Sequence, residues 1–313
     1  MMFDFSNEED CIKAIKSPEP MVRASAARSL GIFKDKKTFK ILIEALKDNN
    51  IIVRCNAVRA LGTRGDTKAL EYIIRMLKED EEEVRIRSAE AISVFGWEDS
   101  SIEVLKNAIE DNSKLVQIWA LYSLVQLGEE EYFNDLVEYT TDEDNKVRSN
   151  AVGALGKIGD KRAIEFLRPT LKDNSWMVRY RAVQSLSEIE WSEGVPFLLE
   201  LLKDPEARVR VAVLKALSKF ISKKSVDTIL PSLSDTDWEV RYNAVEILEK
   251  IATEKQIPHL EKALKKEKNA TVRISIKSLL KGLKKTDIYD EDFPETVLLE
   301  DLDDIDFDVE DFD

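Results

Sequence analysis

Residues 53–66 read VRCNAVRALGTRGD, and residues 147–160 read VRSNAVGALGKIGD. The same phrase recurs in looser form along the whole chain. Its valine falls at Val22, Val53, Val84, Val116, Val147, Val178, Val209, Val240 and Val272, spaced 31 or 32 residues apart. A fixed period in this range is the signature of stacked repeats, each of which buries its apolar face only against its neighbours. Arginine follows eight of the valines, at Arg23, Arg54, Arg85, Arg148, Arg179, Arg210, Arg241 and Arg273. In the fourth copy Gln117 stands in its place.

Eight residues after each valine stands a large aliphatic residue: Leu30, Leu61, Ile92, Leu124, Leu155, Leu186, Leu217, Leu248 and Leu280. Four residues after it the side chain is usually small, as at Ala26, Ala57, Ser88, Ala120, Ala151, Ala182 and Ala244, with Val213 and Ile276 as larger exceptions. Spacings of four and eight share one helical stripe. The phrase therefore predicts a buried helix that neighbouring backbones approach closely. Upstream in each unit lies a second amphipathic run, such as Ala69, Ile73, Ile74 and Leu77, or Val195, Leu198, Leu199 and Leu202. Gly62 and Gly65-Asp66, like Gly156 and Gly159-Asp160, read as a glycine stop followed by an aspartate cap. Pro196 fits a first helical turn, where its missing N–H costs little. Each unit is expected to be a two-helix hairpin.

An acid stands six residues before the arginine position in eight copies: Asp48, Glu79, Asp111, Asp142, Asp173, Asp204, Asp235 and Glu267, with Ser17 in the first. An acid in the inter-helix turn and an arginine in the next first turn can form a stacked ladder of charge-assisted hydrogen bonds. The rival reading is a row of anion sites. The recurrence of acid with arginine favours the ladder.

The Asp-x5-Arg spacing, the Val-Arg-x-x-Ala-x-x-x-Leu phrase and the Leu-Gly-x-x-Gly-Asp joints at Leu61–Asp66 and Leu155–Asp160 resemble the HEAT-repeat superfamily, most closely its short PBS-lyase HEAT-like branch. The resemblance covers residues 7 to 285. It implies an all-α solenoid, a right-handed superhelix of about nine two-helix repeats, whose second helices line the concave side. It says little about function, because function lives in sites grafted onto a fold.

Charge is distributed unevenly. Residues 286–313 hold 14 acids and no lysine or arginine, while the rest of the chain balances 47 acids against 47 bases. The sequence thus divides into a neutral repeat domain, 1–285, and an acidic tail, 286–313. Like-charged blocks resist folding and commonly serve as interaction tails. A solubilising, disordered terminus is the simpler reading. Yet apolar residues interleave with the acids, and Phe293, Leu298, Leu299, Leu302, Phe307 and Phe312 are candidate anchors for a partner or for the protein's own groove. Leu298, Leu299, Leu302 and Ile305 can share a helix face, whereas the stretch beyond Ile305 alternates like a strand. Fully extended, the tail reaches on the order of 90 Å.

Given the resemblance, positions two before and two, three and six after each valine become candidates for the exposed concave face. They vary strongly between repeats. Repeat six supplies Trp176, Tyr180, Arg181 and Gln184; repeat eight supplies Trp238, Tyr242, Asn243 and Glu246. Repeat four supplies Trp119 and Tyr122, and repeat two Ile51, Asn56 and Arg59. Flanked by Arg181, Arg208 and Lys215, such aromatics suit an extended peptide with apolar anchors and acids. Packing between repeats is the alternative, weighing about equally for repeats six and eight and more heavily for Trp119. Trp97 and Trp191 fall at joints and read as structural.

Enzymes do occur among HEAT-like proteins. A di-iron hydroxylase of this type uses recurrent His-Glu pairs, but the single histidine here, His259, precedes Leu260. There is no phosphate-binding glycine loop, and Cys11 and Cys55 lie in different repeats, outside metal-ligand spacing. Bilin lyases share the repeat type, yet nothing specifies a tetrapyrrole site. A nucleic-acid binder needs a basic surface, which the neutral body does not promise, although the tail can mask a local basic stripe. No signal segment or bilayer-length apolar run is present, and two unpaired cysteines fit a reduced, cytoplasmic setting. The expectation is a non-enzymatic scaffold or adaptor without cofactor, binding a protein or peptide on the concave face. The tail is expected to be a second interaction or autoinhibitory element. The alternatives are a bilin-lyase-like enzyme or enzyme subunit, and a nucleic-acid-binding solenoid regulated by its tail.

Overall fold

The structure, a computed structural model, describes residues 7–96, 99–220 and 225–284. These form nine helical hairpins in chain order. The first five are α1 (Glu8–Ala14) with α2 (Pro20–Leu30), α3 (Lys36–Ala45) with α4 (Ile51–Arg64), α5 (Leu70–Glu79) with α6 (Glu82–Ile92), α7 (Asp99–Ala108) with α8 (Lys114–Gln126), and α9 (Phe133–Glu138) with α10 (Asn145–Ile158). The rest are α11 (Ile164–Thr170) with α12 (Trp176–Glu188), α13 (Val195–Glu200) with α14 (Ala207–Leu217), α15 (Val226–Ile229) with α16 (Trp238–Ile251), and α17 (Ile257–Lys266) with α18 (Ala270–Lys284). The chain falls into two compact units, one carrying α1–α10 and the other α11–α18. Each is an all-α stack of hairpins, the architecture of an α-solenoid.

Within each unit the second helices lie side by side: α2, α4, α6, α8 and α10 in the first, α12, α14, α16 and α18 in the second. First helices pack on their own partners and meet one another sparsely. The reason is the small position of the phrase. Val53, Ala57 and Leu61 are completely buried, as are Val116, Ala120 and Leu124. A methyl in place of hydrogen at Gly31 would come within 3.0 Å of the Ala60 Cα, and one at Gly62 within 3.3 Å of the Ala91 Cβ. Neighbouring helices could not close up over larger groups.

That contact corrects one expectation. Gly62 and Gly156 are not helix stops; both are buried inside helices, Gly62 against Ala91 of the next second helix. Gly65 does end α4, with φ of 64° in the left-handed region, and Asp66 caps the following turn by accepting from the Lys68 N–H. Asp160 does the same for Arg162. Three second helices, α4, α8 and α16, start on side-chain caps as well. Asn50 accepts from the Ile52 and Val53 N–H groups, Ser113 from Val116, and Asp237 from Glu239 and Val240.

Within each unit the acid and the arginine form a ladder that reaches from one hairpin forward to the next. Arg23 Nε and Nη2 donate to the two Asp48 oxygens at 2.8 and 2.9 Å, while Nη1 donates to the Ser17 carbonyl of its own turn at 3.0 Å. The same fork joins Arg54 to Asp80, Arg85 to Asp111, Arg179 to Asp204, Arg210 to Asp235 and Arg241 to Glu267. Asp80 fills its rung in place of Glu79, to which strict spacing pointed. Most rung acids also accept a backbone N–H two residues on, as Asp48 does from Asn50 and Asp204 from Glu206. One carboxylate thus shapes its own turn and holds the preceding hairpin. Lysine could not replace this planar, three-way donor.

The fourth copy rebuilds its rung with other residues. Gln117 Nε2 donates to the Asp111 carbonyl at 2.5 Å, as the arginine would, and its amide oxygen accepts from the Tyr139 hydroxyl. Lys114, one turn earlier, takes over Asp142 at 2.6 Å. The exception keeps both contacts and distributes them over three side chains.

The rungs give the fold an acid limit. Hydrogen bonds from Arg23, Lys114 and Arg241 hold Asp48, Asp142 and Glu267 below the usual carboxylate range. Burial pushes Asp111 the other way, but Arg85 and the Ser113 N–H outweigh it. Away from the ladder, Asp35 falls to about 2 because the Thr38 hydroxyl and N–H bind its charged form. Depressed carboxylates bind protons less readily folded than unfolded. Their stabilisation is complete above the unfolded values and is lost as pH falls through the folded ones. Thermal melts followed by circular dichroism should give a level Tm from neutral pH to about 5 and a fall below about 4. An unchanged Tm down to pH of about 2 would contradict the ladder's role.

Candidate interaction face

The second-helix layer of the second unit carries the best-organised surface cluster. Trp176 and Tyr180, one turn apart on α12, meet edge to face with ring centroids 6.5 Å apart. The Arg208 guanidinium of α14 stands 5.2 Å from the centroid of the Trp176 ring. Arg181 Nη1 donates to the Gln184 amide oxygen at 3.1 Å, and Gln184 Nε2 donates to the Tyr180 hydroxyl at 2.9 Å. The two aromatic rings are half-buried, and Arg208 is exposed. Their edges and cations reach solvent on one face, with rotamers fixed by neighbours. Such preorganised aromatic and arginine groups are the usual anchors of protein recognition.

The other expected residues divide. Lys215 is exposed on α14, and Trp238 exposes 39 % of its surface at the start of α16. Tyr242 is half-buried beside Glu246, whose charge and hydrogen bond raise the tyrosine pKa. Asn243 is half-buried, and its side-chain amide donates to the Glu239 carbonyl of its own helix at 2.7 Å. Trp119, a face candidate for which packing weighed more heavily, does pack: it is only 6 % exposed. Its indole N–H donates to the Asn150 side chain at 3.2 Å, its ring meets Tyr122 edge to face at 5.3 Å, and Lys157 Nζ lies 4.7 Å from its centroid. An aromatic immediately before the small position must enter the seam between two close helices. Tyr122 is half-buried with it. Trp191 is half-buried at its joint, stacked on Phe197 at 5.4 Å; its ring covers Gly194, where a Cβ would fall 2.2 Å from Cε3. Trp97 and the tail anchors Phe293, Leu298, Leu299, Leu302, Phe307 and Phe312 lie outside the described residues.

The first unit has a second polar patch that the sequence reading largely missed, naming only Arg59. Arg28 and Arg59 occupy the same register, six after their valines, on adjacent helices α2 and α4, and both are exposed. Desolvation, then the like charge of Arg87, pull Arg59 below the usual guanidinium pKa. Glu90 accepts from Arg87 at 3.4 Å and also pairs with Lys157. Aligning the third and sixth positions after each valine across repeats would have revealed this cluster. Cys55 lies within its electrostatic reach, but burial pushes the thiol up to about 11. A thiol held protonated at neutral pH is a poor nucleophile.

A cleft of about 740 Å³ lies on the first-helix side, between α15 and α17, lined by Asp227, His259, Lys262 and Lys266 among others. His259 is exposed there in the first turn of α17. Among the described residues, no three potential metal ligands converge, and no helix is long and apolar enough to cross a membrane.

Comparison with known proteins agrees with this geometry at the level of fold. Escherichia coli YibA aligns with 21% identity and a TM-score of 0.53, over 85% of this chain and 99% of its own. The CpcE–CpcF complex of phycocyanin lyase from Nostoc sp. PCC7120 aligns at 18% identity and a TM-score of 0.43, over 90% and 97%. Human deoxyhypusine hydroxylase, in complex with glycerol, aligns at 18% and 0.40, over 77% and 94%. No curated protein matches by sequence. A PBS lyase HEAT-like repeat is matched at residues 178–204. With HEAT repeats matched over residues 8–93, 102–187 and 195–281, the chain belongs to the HEAT-repeat family.

Proposed function

We propose that this protein is a non-catalytic scaffold or adaptor that captures an extended protein segment along its second-helix face. The observation that carries the reading is the Arg208–Trp176–Tyr180–Arg181 cluster, in which half-exposed aromatics and cations are fixed by one another. Such a surface takes apolar side chains against its rings and carboxylates on its guanidinium groups. The acidic tail is a second interaction element.

The test is selection of peptides from a displayed library on the full-length protein, followed by calorimetry with the enriched sequences. Trp176→Ala with Arg208→Ala should weaken a selected peptide by at least about 30-fold, the scale of a recognition hot spot. Equal affinity for the variant, or no enrichment on the wild type, would sink the reading.

A further inference from the structure

The second-helix face of the first three hairpins carries a regular stripe. Four positions on each helix, one before and three, six and ten after the repeat valine, point the same way because their spacing is four, three and four. On α2 and just beyond it they are Met21, Ser25, Arg28 and Ile32; on α4 they are Ile52, Asn56, Arg59 and Thr63. On α6 and its following turn they are Glu83, Arg87, Glu90 and Val94. Met21, Ile32, Ile52 and Val94 are 57%, 67%, 40% and 57% exposed, which places them among the most exposed large apolar side chains of the protein.

The stripe sets Arg28, Arg59 and Arg87, with Glu83 and Glu90 beside Arg87, between uncovered apolar groups. Glu90 is shared between Arg87 and Lys157. Among the described residues, Arg28 and Arg59 receive no carboxylate, unlike the ladder arginines on the same helices. With Glu90 drawn to Arg87 and Lys157, Arg28 and Arg59 are the guanidinium groups left to favour an anionic ligand. The bordering apolar residues make a bare inorganic ion a poor match. The surface asks for acids alternating with apolar side chains.

The chain itself ends in such a segment: residues 297–313 read VLLEDLDDIDFDVEDFD. We propose that the face formed by Arg28, Arg59 and Arg87, with Met21, Ile52 and Val94 at its borders, is the docking surface for the acidic tail, residues 286–313, of the same molecule. The proposal rests on the reading of the tail as an interaction element and is independent of the Trp176 cluster. Carboxylates of the tail sit on the arginine row, its leucines and phenylalanines on the apolar borders. Charge steers the encounter, and the apolar contacts give it register.

Cleavage by a glutamate-specific protease, followed by mass spectrometry on the full-length protein, tests this at Glu295, Glu300 and Glu310. In low salt the tail should be cut more slowly than a synthetic peptide of residues 286–313, and about 1 M salt should abolish the protection. Arg28→Glu with Arg59→Glu alters only exposed positions, and circular dichroism checks its fold. It should speed tail cleavage about tenfold. Arg208→Glu with Lys215→Glu should leave the rate unchanged.

Cleavage at the free-peptide rate in the wild type overturns both the docking and the tail's role as an interaction element within the molecule. Protection that ignores the Arg28 and Arg59 reversal, or that yields to the Arg208 and Lys215 reversal, overturns this docking surface alone. Protection that grows with protein concentration assigns the tail to a second copy and overturns docking within one molecule.

Discussion

Replacing Asp204 by alanine should destabilise the second unit by about 3 kcal/mol, read from urea unfolding. The side chain is 5% exposed and accepts from Arg179 Nε and Nη2 at 2.7 and 2.8 Å. It also accepts from the Glu206 N–H at 2.9 Å, shaping the turn before α14. Removal leaves the Arg179 guanidinium, 13% exposed, bonded on one side to the Asp173 carbonyl and unpaired on the other. A buried charge that loses its partner costs far more than the intact pair contributes. Asp204→Asn keeps an acceptor for the turn and should cost less than alanine. The double replacement Arg179→Met with Asp204→Leu should also cost less than Asp204→Ala, since no charge is stranded. A loss below about 0.5 kcal/mol for Asp204→Ala would make the ladder an ornament of the surface.

Leu61→Ala should be comparably severe, and local. Leu61 is fully buried on α4, where the second helices of adjacent hairpins close over the small positions. Truncating such a leucine costs about 2–5 kcal/mol, from lost burial plus the cavity left behind. In a stack each hairpin is held mainly by its neighbours, so the damage should stay near the cavity. Hydrogen exchange read by mass spectrometry should show protection falling by about a hundredfold in α2, α4 and α6. Protection in α14, α16 and α18 should not change. A uniform loss across both units would mean that the protein unfolds as one block.

Much of this architecture was legible in the chain. The valine, the small residue and the leucine of each phrase repeat one packing problem, so their spacing alone placed the second helices and their buried stripe. The ladder was visible in the recurrence of acid with arginine. The direction of each rung, reaching forward to the next hairpin, was not, because sequence spacing cannot say which turn faces which helix. Gly62 misled for a related reason. A glycine in a repeat joint reads as a stop until the neighbouring helix, one methyl away, shows why it must be small. The surface was harder. Trp119 and Trp176 look alike in the sequence, yet one enters a helix seam and the other edges toward solvent. They differ by five positions in the repeat, and that offset sets the two side chains about 140° apart around the helix. Arg28 and Arg87 were hidden, and Arg59 stood alone, because no one of them is unusual; only their shared face makes them a patch.

The rebuilt rung at Gln117 has a consequence for how such a protein can be rearranged. An ordinary hairpin brings an acid for the hairpin before it and an arginine for the one after, so any two can be joined in either order with the rung intact. Repeats of this kind are interchangeable parts. The fourth and fifth hairpins are not, because Gln117 of one relies on the Tyr139 hydroxyl of the other. Moved elsewhere, the fourth would still bring Lys114 to its new neighbour's carboxylate, but the Gln117 amide oxygen would lose the Tyr139 hydroxyl. Duplication, deletion or grafting should therefore be tolerated at most joints and resisted at this one. The seam between α8 and α10 is where the order of an otherwise shufflable chain is written.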